Sequence, residues 1–320
     1  MSLGRCRGIA ATLAGVALAV AAFASPAQAE PTREDALRTL AAIARSPVGL
    51  SYDREVIAGD FASAREQAGL PADADVLSYA EASPFGPDGP FGQFVRETIP
   101  FADTPFGRTA ELRAFEGTAI TASAHTAPIF GEPGTAVVAT MQPAREVRRR
   151  LVAAGMKRRH GVLTGTEVRG KPSDFPYIAD AGEGLFVLTD SLEAARLVTS
   201  ATLPVSRKST DNGAAVAAGL GDASPFLGVI ARRSGCVRRT IVTQDVEPMT
   251  GTITLAGPLR RHDVEVEREL KRDYEVGPLR RQGSELSVAI SPSGDYDPST
   301  LAYSGLLDKR FALRPLCTRR

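Results

Sequence analysis

Residues 118–232 constrain the fold most, because short apolar runs alternate there with segments of helical period. Thr118–Thr126, Thr135–Met141, His160–Thr164, Phe175–Ala179, Leu185–Leu188 and Phe226–Ala231 have the length and the apolar or β-branched character of strands. Pro143 opens a helix that runs to Ala154 and is closed by Gly155. Val147, Leu151 and Ala154 face one way along it, and Arg148, Arg149 and Arg150 occupy the solvated side. Asp190 or Ser191 can cap a second helix through Val198. Neither element type can bury its apolar face alone, so a packed sheet and helices are required. The step from strand to helix recurs at Thr135–Gly155 and Gly184–Ser200, with a weaker copy at Val56–Gly69. This order predicts an α+β fold: antiparallel sheets with helices packed on one face, in ferredoxin-like strand–helix repeats.

The remaining elements extend that pattern. Arg33–Arg45 has helical spacing, Glu55–Phe61 reads as a strand, Ala62–Ala68 as a helix and Val76–Tyr79 as a strand. The C-terminal part is strand-rich, with runs at Arg238–Thr243, Thr250–Ala256, His262–Glu267 and Leu286–Ile290, and Pro298–Ala312 reads as a final helix. Three parts follow after residues 1–29: an acidic α/β part at 30–117, the ferredoxin-like part at 118–232 and the strand-rich part at 233–320. With units such as Leu185-Phe-Val-Leu-Thr-Asp-Ser-Leu-Glu-Ala-Ala-Arg196, residues 35–232 resemble a loose group of exported bacterial proteins without known activity. The resemblance implies element order and carries no site residues.

Residues 83–107 differ in kind. Pro-Phe-Gly occurs three times, and Phe85, Phe91, Phe94, Phe101 and Phe106 are five of the chain's 13 Phe. Pro and Gly oppose regular structure while Phe favours burial. The stretch therefore reads either as a loop folded over the core or as an aromatic surface for a ligand or partner. These five Phe are the candidate binding residues.

Residues 1–29 read as an export signal. Arg5 and Arg7 precede an uncharged run, Gly8–Ala24, and Ala27-Gln28-Ala29 supplies a small-x-small cleavage site. Cleavage after Ala29 predicts a secreted or extracytoplasmic chain with no stable membrane span. The alternative is a retained anchor. Cys6 precedes the apolar run and cannot become a lipidated N-terminus. The chain is near neutral overall, which gives no support to nucleic-acid binding. Its charge is uneven: residues 30–130 carry 8 basic and 15 acidic side chains, and residues 131–320 carry 28 and 22.

Removal of the signal leaves Cys236 and Cys317, an even count that predicts a disulfide in an exported protein. Closing so long a loop contributes roughly 4 kcal/mol in the chain-entropy account. His125, His160 and His262 lack the i, i+4 spacing of a helical zinc site, and neither Cys lies near a His. Asp263, Glu265, Glu267 and Glu269 would line one face of a strand, too widely spaced to hold calcium by themselves. There is no Gly-x-Ser-x-Gly elbow, no Ser-x-x-Lys and no phosphate loop of the full Gly-x-x-x-x-Gly-Lys-Ser/Thr form. No cofactor, metal or catalytic residue is therefore assigned. Paired arginines at 232/233, 238/239, 260/261 and 280/281 would form a polyanion or anionic-lipid patch if they converged. The sequence reads as an exported, non-enzymatic protein that binds a ligand or partner at the cell envelope. The alternative is an envelope hydrolase with scattered catalytic groups.

Overall fold

A computed structural model describes residues 29–44, 46, 55–81, 89–99, 114–126, 134–165, 167–168, 171–172, 175–200, 213–220, 224–231, 237–247, 249–257, 263–271 and 274–292. In chain order the elements begin with α1 (Arg33–Ala44), β1 (Glu55–Asp60), α2 (Phe61–Gln67), α3 (Val76–Glu81) and α4 (Gly89–Thr98). Next come β2 (Ile120–Thr126), β3 (Thr135–Thr140), α5 (Ala144–Ala153), β4 (Lys157–Arg159) and β5 (Val162–Thr164). They continue with β6 (Glu167–Val168), β7 (Lys171–Pro172), β8 (Tyr177–Gly182), β9 (Leu185–Thr189), α6 (Leu192–Thr199) and α7 (Gly213–Ala218). The last are β10 (Phe226–Ala231), β11 (Arg239–Gln244), β12 (Gly251–Ala256), α8 (Asp263–Leu270), β13 (Tyr274–Val276), β14 (Arg280–Gln282) and β15 (Glu285–Pro292).

Thirteen strands form one sheet in the order β13-β15-β12-β11-β10-β1-β2-β3-β9-β8-β5-β4, with β14 beside β13 along the same edge of β15. Every pairing is antiparallel. The sheet draws strands from all three parts of the sequence, and residues 31–320 form one compact unit. β6 and β7 pair separately.

Both faces of the central strands are buried, which corrects the expectation of helices on one face. Side chains alternate along a strand, so neighbours in sequence enter opposite layers. Ile57, Val138, Phe186 and Phe226 join one apolar cluster, with α2, α3, α4, α5 and α8 packed over it. Val56, Ala58, Val137, Val187 and Val229 join the other, with α1, α6 and α7. The near-continuous apolar runs of β1, β3, β9 and β10 follow from this double burial. The ferredoxin-like reading fails on the same point. α5 and α6, which follow β3 and β9, lie on opposite faces, and the β1–β2 pair stands between β3 and β10.

Local chemistry sets the element ends. Thr32 and Asp35 form a reciprocal capping box at the start of α1, with Thr32 N donating to Asp35 Oδ2 at 2.9 Å and Asp35 N to Thr32 Oγ1 at 3.2 Å. Asp60 caps α2 through Ser63 N, and Ser191 caps α6 through Ala194 N. His160-Gly161 and Glu183-Gly184 close two-residue hairpins with positive φ at both positions. That geometry matches the twist of the flanking strands and favours Gly in second place. The expected strand at His160–Thr164 is therefore the turn and return strand of the β4–β5 hairpin.

Three further segments differ from expectation. Residues 76–79 are helical because Asp75 accepts the N–H of Leu77 at 3.0 Å and its carbonyl accepts that of Ser78. Part of the Phe-rich stretch is helix α4, whose Phe91, Phe94, Val95 and Thr98 share its buried side. Asp263–Leu270 is helix α8 and not a strand, since Val266 and Leu270, four apart, reach the core while Val264 is 75% exposed. Consequently Asp263, Glu265, Glu267 and Glu269 sit around a helix rather than in a row. The expected helix at Pro298–Ala312 lies outside the described residues.

Candidate functional site

Two places collect polar chemistry: the C-terminus of α4 against β2, and the rim formed by α5 and the β4–β5 hairpin. At the first, Gly59 lets α4 lie close on the sheet. A Cβ there would meet Thr98 Cβ at 2.8 Å and Phe94 Cζ at 3.0 Å. Phe94 is fully buried, 5.3 Å from the ring of Phe61 in an edge-on contact, and Phe91 stands edge-on to Tyr79 at 4.9 Å. A helix end brought this deep leaves carbonyls that must find donors. Two side chains supply them: Ser123 Oγ donates to Thr98 O at 2.6 Å and His125 Nε2 to Glu97 O at 3.1 Å, while Thr98 Oγ1 bonds back to Phe94 O one turn earlier at 2.6 Å. A carbonyl only accepts, so Nε2 carries the proton. Burial pushes the His125 pKa down, against the backbone hydrogen bonds to Glu97 and Thr126 that raise it. The ring is held neutral as a backbone donor.

Nearby, buried Arg65 plays a similar part. Its guanidinium donates to Gly117 O at 2.8 Å, to Ile120 O at 3.1 Å and to Ala74 O at 3.1 Å, tying α2 to the entry of β2. On the other face, buried Arg33 donates to the carbonyls of Ser224 and Pro225. Sequence reasoning missed these roles. The signal available for them was a single Arg on the apolar side of an otherwise apolar-faced helix.

The second place is open. On α5, Arg145, Arg149 and Val152 form an exposed stripe at positions i, i+4 and i+7, opposite the buried Val147 and Leu151. Arg149 and Arg150 pair with Glu146 at 2.5 and 2.8 Å and hold its carboxyl down to about 2. Arg150 also reaches Glu116, and Arg148 pairs with Asp180 at 3.1 Å. Directly after α5 comes the edge strand β4, in which Lys157, Arg158 and Arg159 are all exposed, followed by exposed His160. Arg145, Lys157, Arg158 and Arg159 make no ion pair with a described residue. From pairing register, Arg158 shares the α5 face with Leu163, while Lys157 and Arg159 share the α6 face with Val162. Met141 and Val152, both about half exposed, are the apolar side chains of this region.

The expected site residues distribute as follows. Phe91 and Phe94 are core residues of α4, whereas Phe85, Phe101 and Phe106 lie outside the described residues. Cys236, Cys317 and His262 also lie outside them. His125 and His160 are far apart in role, one a buried donor and the other an exposed turn residue. Glu267 pairs with Lys271 at 2.6 Å. Among the described residues, no group of three His, Cys, Asp or Glu side chains is placed to hold a metal ion, and no helix is long and apolar enough to cross a membrane. The chain matches no known protein family, no curated protein and no solved structure.

Proposed function

We propose that this chain is an exported, non-enzymatic protein that binds a partner at the cell envelope. Its location rests on Met1–Ala29, where a basic start, an apolar run and a small-x-small site stand in the order that export requires. Its mode of action rests on the contrast between the buried polar groups and the rim. His125, Arg65, Arg33, Ser123 and Thr98 each donate to backbone carbonyls, which is structural work. The rim instead presents four exposed cations without described acidic partners, and this is the observation that carries the binding reading. Cys236 and Cys317 are proposed to join as the single disulfide of the processed chain.

The test is purification of the chain from the medium and envelope fractions of the bacterium that makes it, with co-purifying lipids and proteins identified by mass spectrometry. A reproducible partner that dissociates when the rim cations are replaced supports the reading. Recovery of the chain alone, together with hydrolytic turnover of an envelope substrate, overturns it. Peptide mapping without reductant checks the disulfide: a Cys236–Cys317 peptide is expected, and two free thiols would remove that part.

A further inference from the structure

We infer that the α5–β4 rim is a docking surface for an anionic phospholipid membrane, an inference that rests on the binding reading above and names its partner. Charge is the first argument. Between Arg145 and Arg159 the chain carries Arg145, Arg148, Arg149, Arg150, Lys157, Arg158 and Arg159 against the single acid Glu146. Even with Glu116 and Asp180 drawn in as ion-pair partners, cations remain in excess. Those lacking a described partner, Arg145, Lys157, Arg158 and Arg159, are all exposed. The described fold supplies them no acidic partner, which leaves them open to an external anion.

The shape of the rim selects among anions. Strand addition by an acidic peptide needs a row of outward backbone groups. β4 has three residues, and the His160-Gly161 turn makes Arg159 and Val162 its closing pair. In an antiparallel ladder the next residue points its N–H and C=O away, so Arg158 alone offers both groups to a new strand. Before it, Met156 N already donates to Leu151 O. A lipid surface needs no backbone partner. It takes cations spread over a broad rim, and the register places them on both sides of the edge, Arg158 toward α5 and Lys157 with Arg159 toward α6. It also accepts apolar side chains among the cations, and Val152 on the exposed stripe of α5 fits that position. The paired cations matter as well, since Glu146 and Asp180 hold Arg148, Arg149 and Arg150 in place.

The experiment is sedimentation of the full chain, as recovered from the producing cells, with vesicles of phosphatidylglycerol and phosphatidylcholine or of phosphatidylcholine alone. Binding is expected to the anionic vesicles only, and to weaken as salt rises. Each cation near an anionic leaflet contributes roughly fivefold to partitioning, so replacing Arg145, Lys157, Arg158 and Arg159 with Gln is expected to weaken binding by on the order of a hundredfold or more. Removing four cations elsewhere (Arg38, Arg238, Lys271 and Arg280 to Gln) is expected to change it by less than about tenfold. Val152→Asn tests the apolar contact at unchanged charge and is expected to lower binding several-fold. Circular dichroism of each variant confirms folding. Equal binding to both vesicle types, or equal loss in both quadruple variants, overturns the inference. So does tighter binding to poly-glutamate than to anionic vesicles. A chain that is exported with a protein partner yet ignores vesicles removes this inference alone. A chain that binds vesicles yet stays in the cytoplasm with an intact N-terminus removes the function reading alone.

Discussion

The centre of the sheet and its β4 end use the same side-chain chemistry for opposite purposes. At the centre, Arg65, His125 and Ser123 point into a close-packed interior, and each donates to a backbone carbonyl there. At the rim, Arg145, Lys157, Arg158 and Arg159 point into solvent and meet no described acid. The difference follows from burial. A polar group removed from water needs a partner within the protein, whereas an exposed one is solvated and remains available. A buried His or Arg in this molecule is thus a feature of its architecture, and function is to be sought where the charges are free.

Substitutions can break this comparison, and the largest effects belong to the centre. Phe94→Ala removes a ring wedged between α4 and β1 and is expected to cost about 3–5 kcal/mol, read as a fall in the urea midpoint. Arg65→Met strips the donor from three carbonyls and is expected to cost about 3 kcal/mol by the same measurement, since unpaired buried acceptors lose their solvation without compensation. A change under about 1 kcal/mol would mean that water replaces the guanidinium. Gly59→Ala forces α4 off the sheet and is expected to cost about 1–3 kcal/mol.

A smaller effect is carried by pH. Burial lowers the pKa of His125 in the folded chain below its unfolded value, so its contribution is complete above the unfolded pKa, near 6.5. It is lost as pH falls below that value, because the unfolded chain takes up the proton first. His125→Gln keeps a donor and cannot titrate. Its urea midpoint is expected to fall less steeply than the parent's between pH 7 and pH 5. Parallel pH profiles would show that the buried ring does not control acid sensitivity. Smallest of all, replacing Lys157, Arg158 and Arg159 with Gln is expected to shift stability by no more than about 0.5 kcal/mol per site while altering binding. A large loss of stability there would make the rim architectural and erase the contrast with the centre.

Much of the sheet was legible because apolar content and length decide a doubly buried strand: β1, β2, β3, β9, β10, β11, β12 and β15 all fall where short apolar or β-branched runs stand. Helices α1, α5 and α6 were equally readable, α1 from its period and α5 and α6 from period together with their end signals. One cause of failure is a segment that satisfies two periods at once. Val264 and Val266 alternate as in a strand, yet Val266 and Leu270 are also four apart, and only packing on β13 decides for the helix. Phe91, Phe94, Val95 and Thr98 carried a helical signal that flanking Pro and Gly obscured. Which face a helix covers was not legible at all, since it depends on crossovers between distant strands. The same holds for the candidate site. Arg148, Arg149 and Arg150 were visible on the solvated side of a helix, but that they border an open sheet edge with its acids already engaged required the fold.

Export and action outside the cytoplasm are proposed for this chain. The most direct measurement is the intact mass of the endogenous protein in cytoplasmic, envelope and medium fractions. The expected result is a chain beginning at Glu30, two mass units below its reduced value for the Cys236–Cys317 bond, in the envelope or medium. A chain that keeps Met1–Ala29 and stays in the cytoplasm would contradict the account.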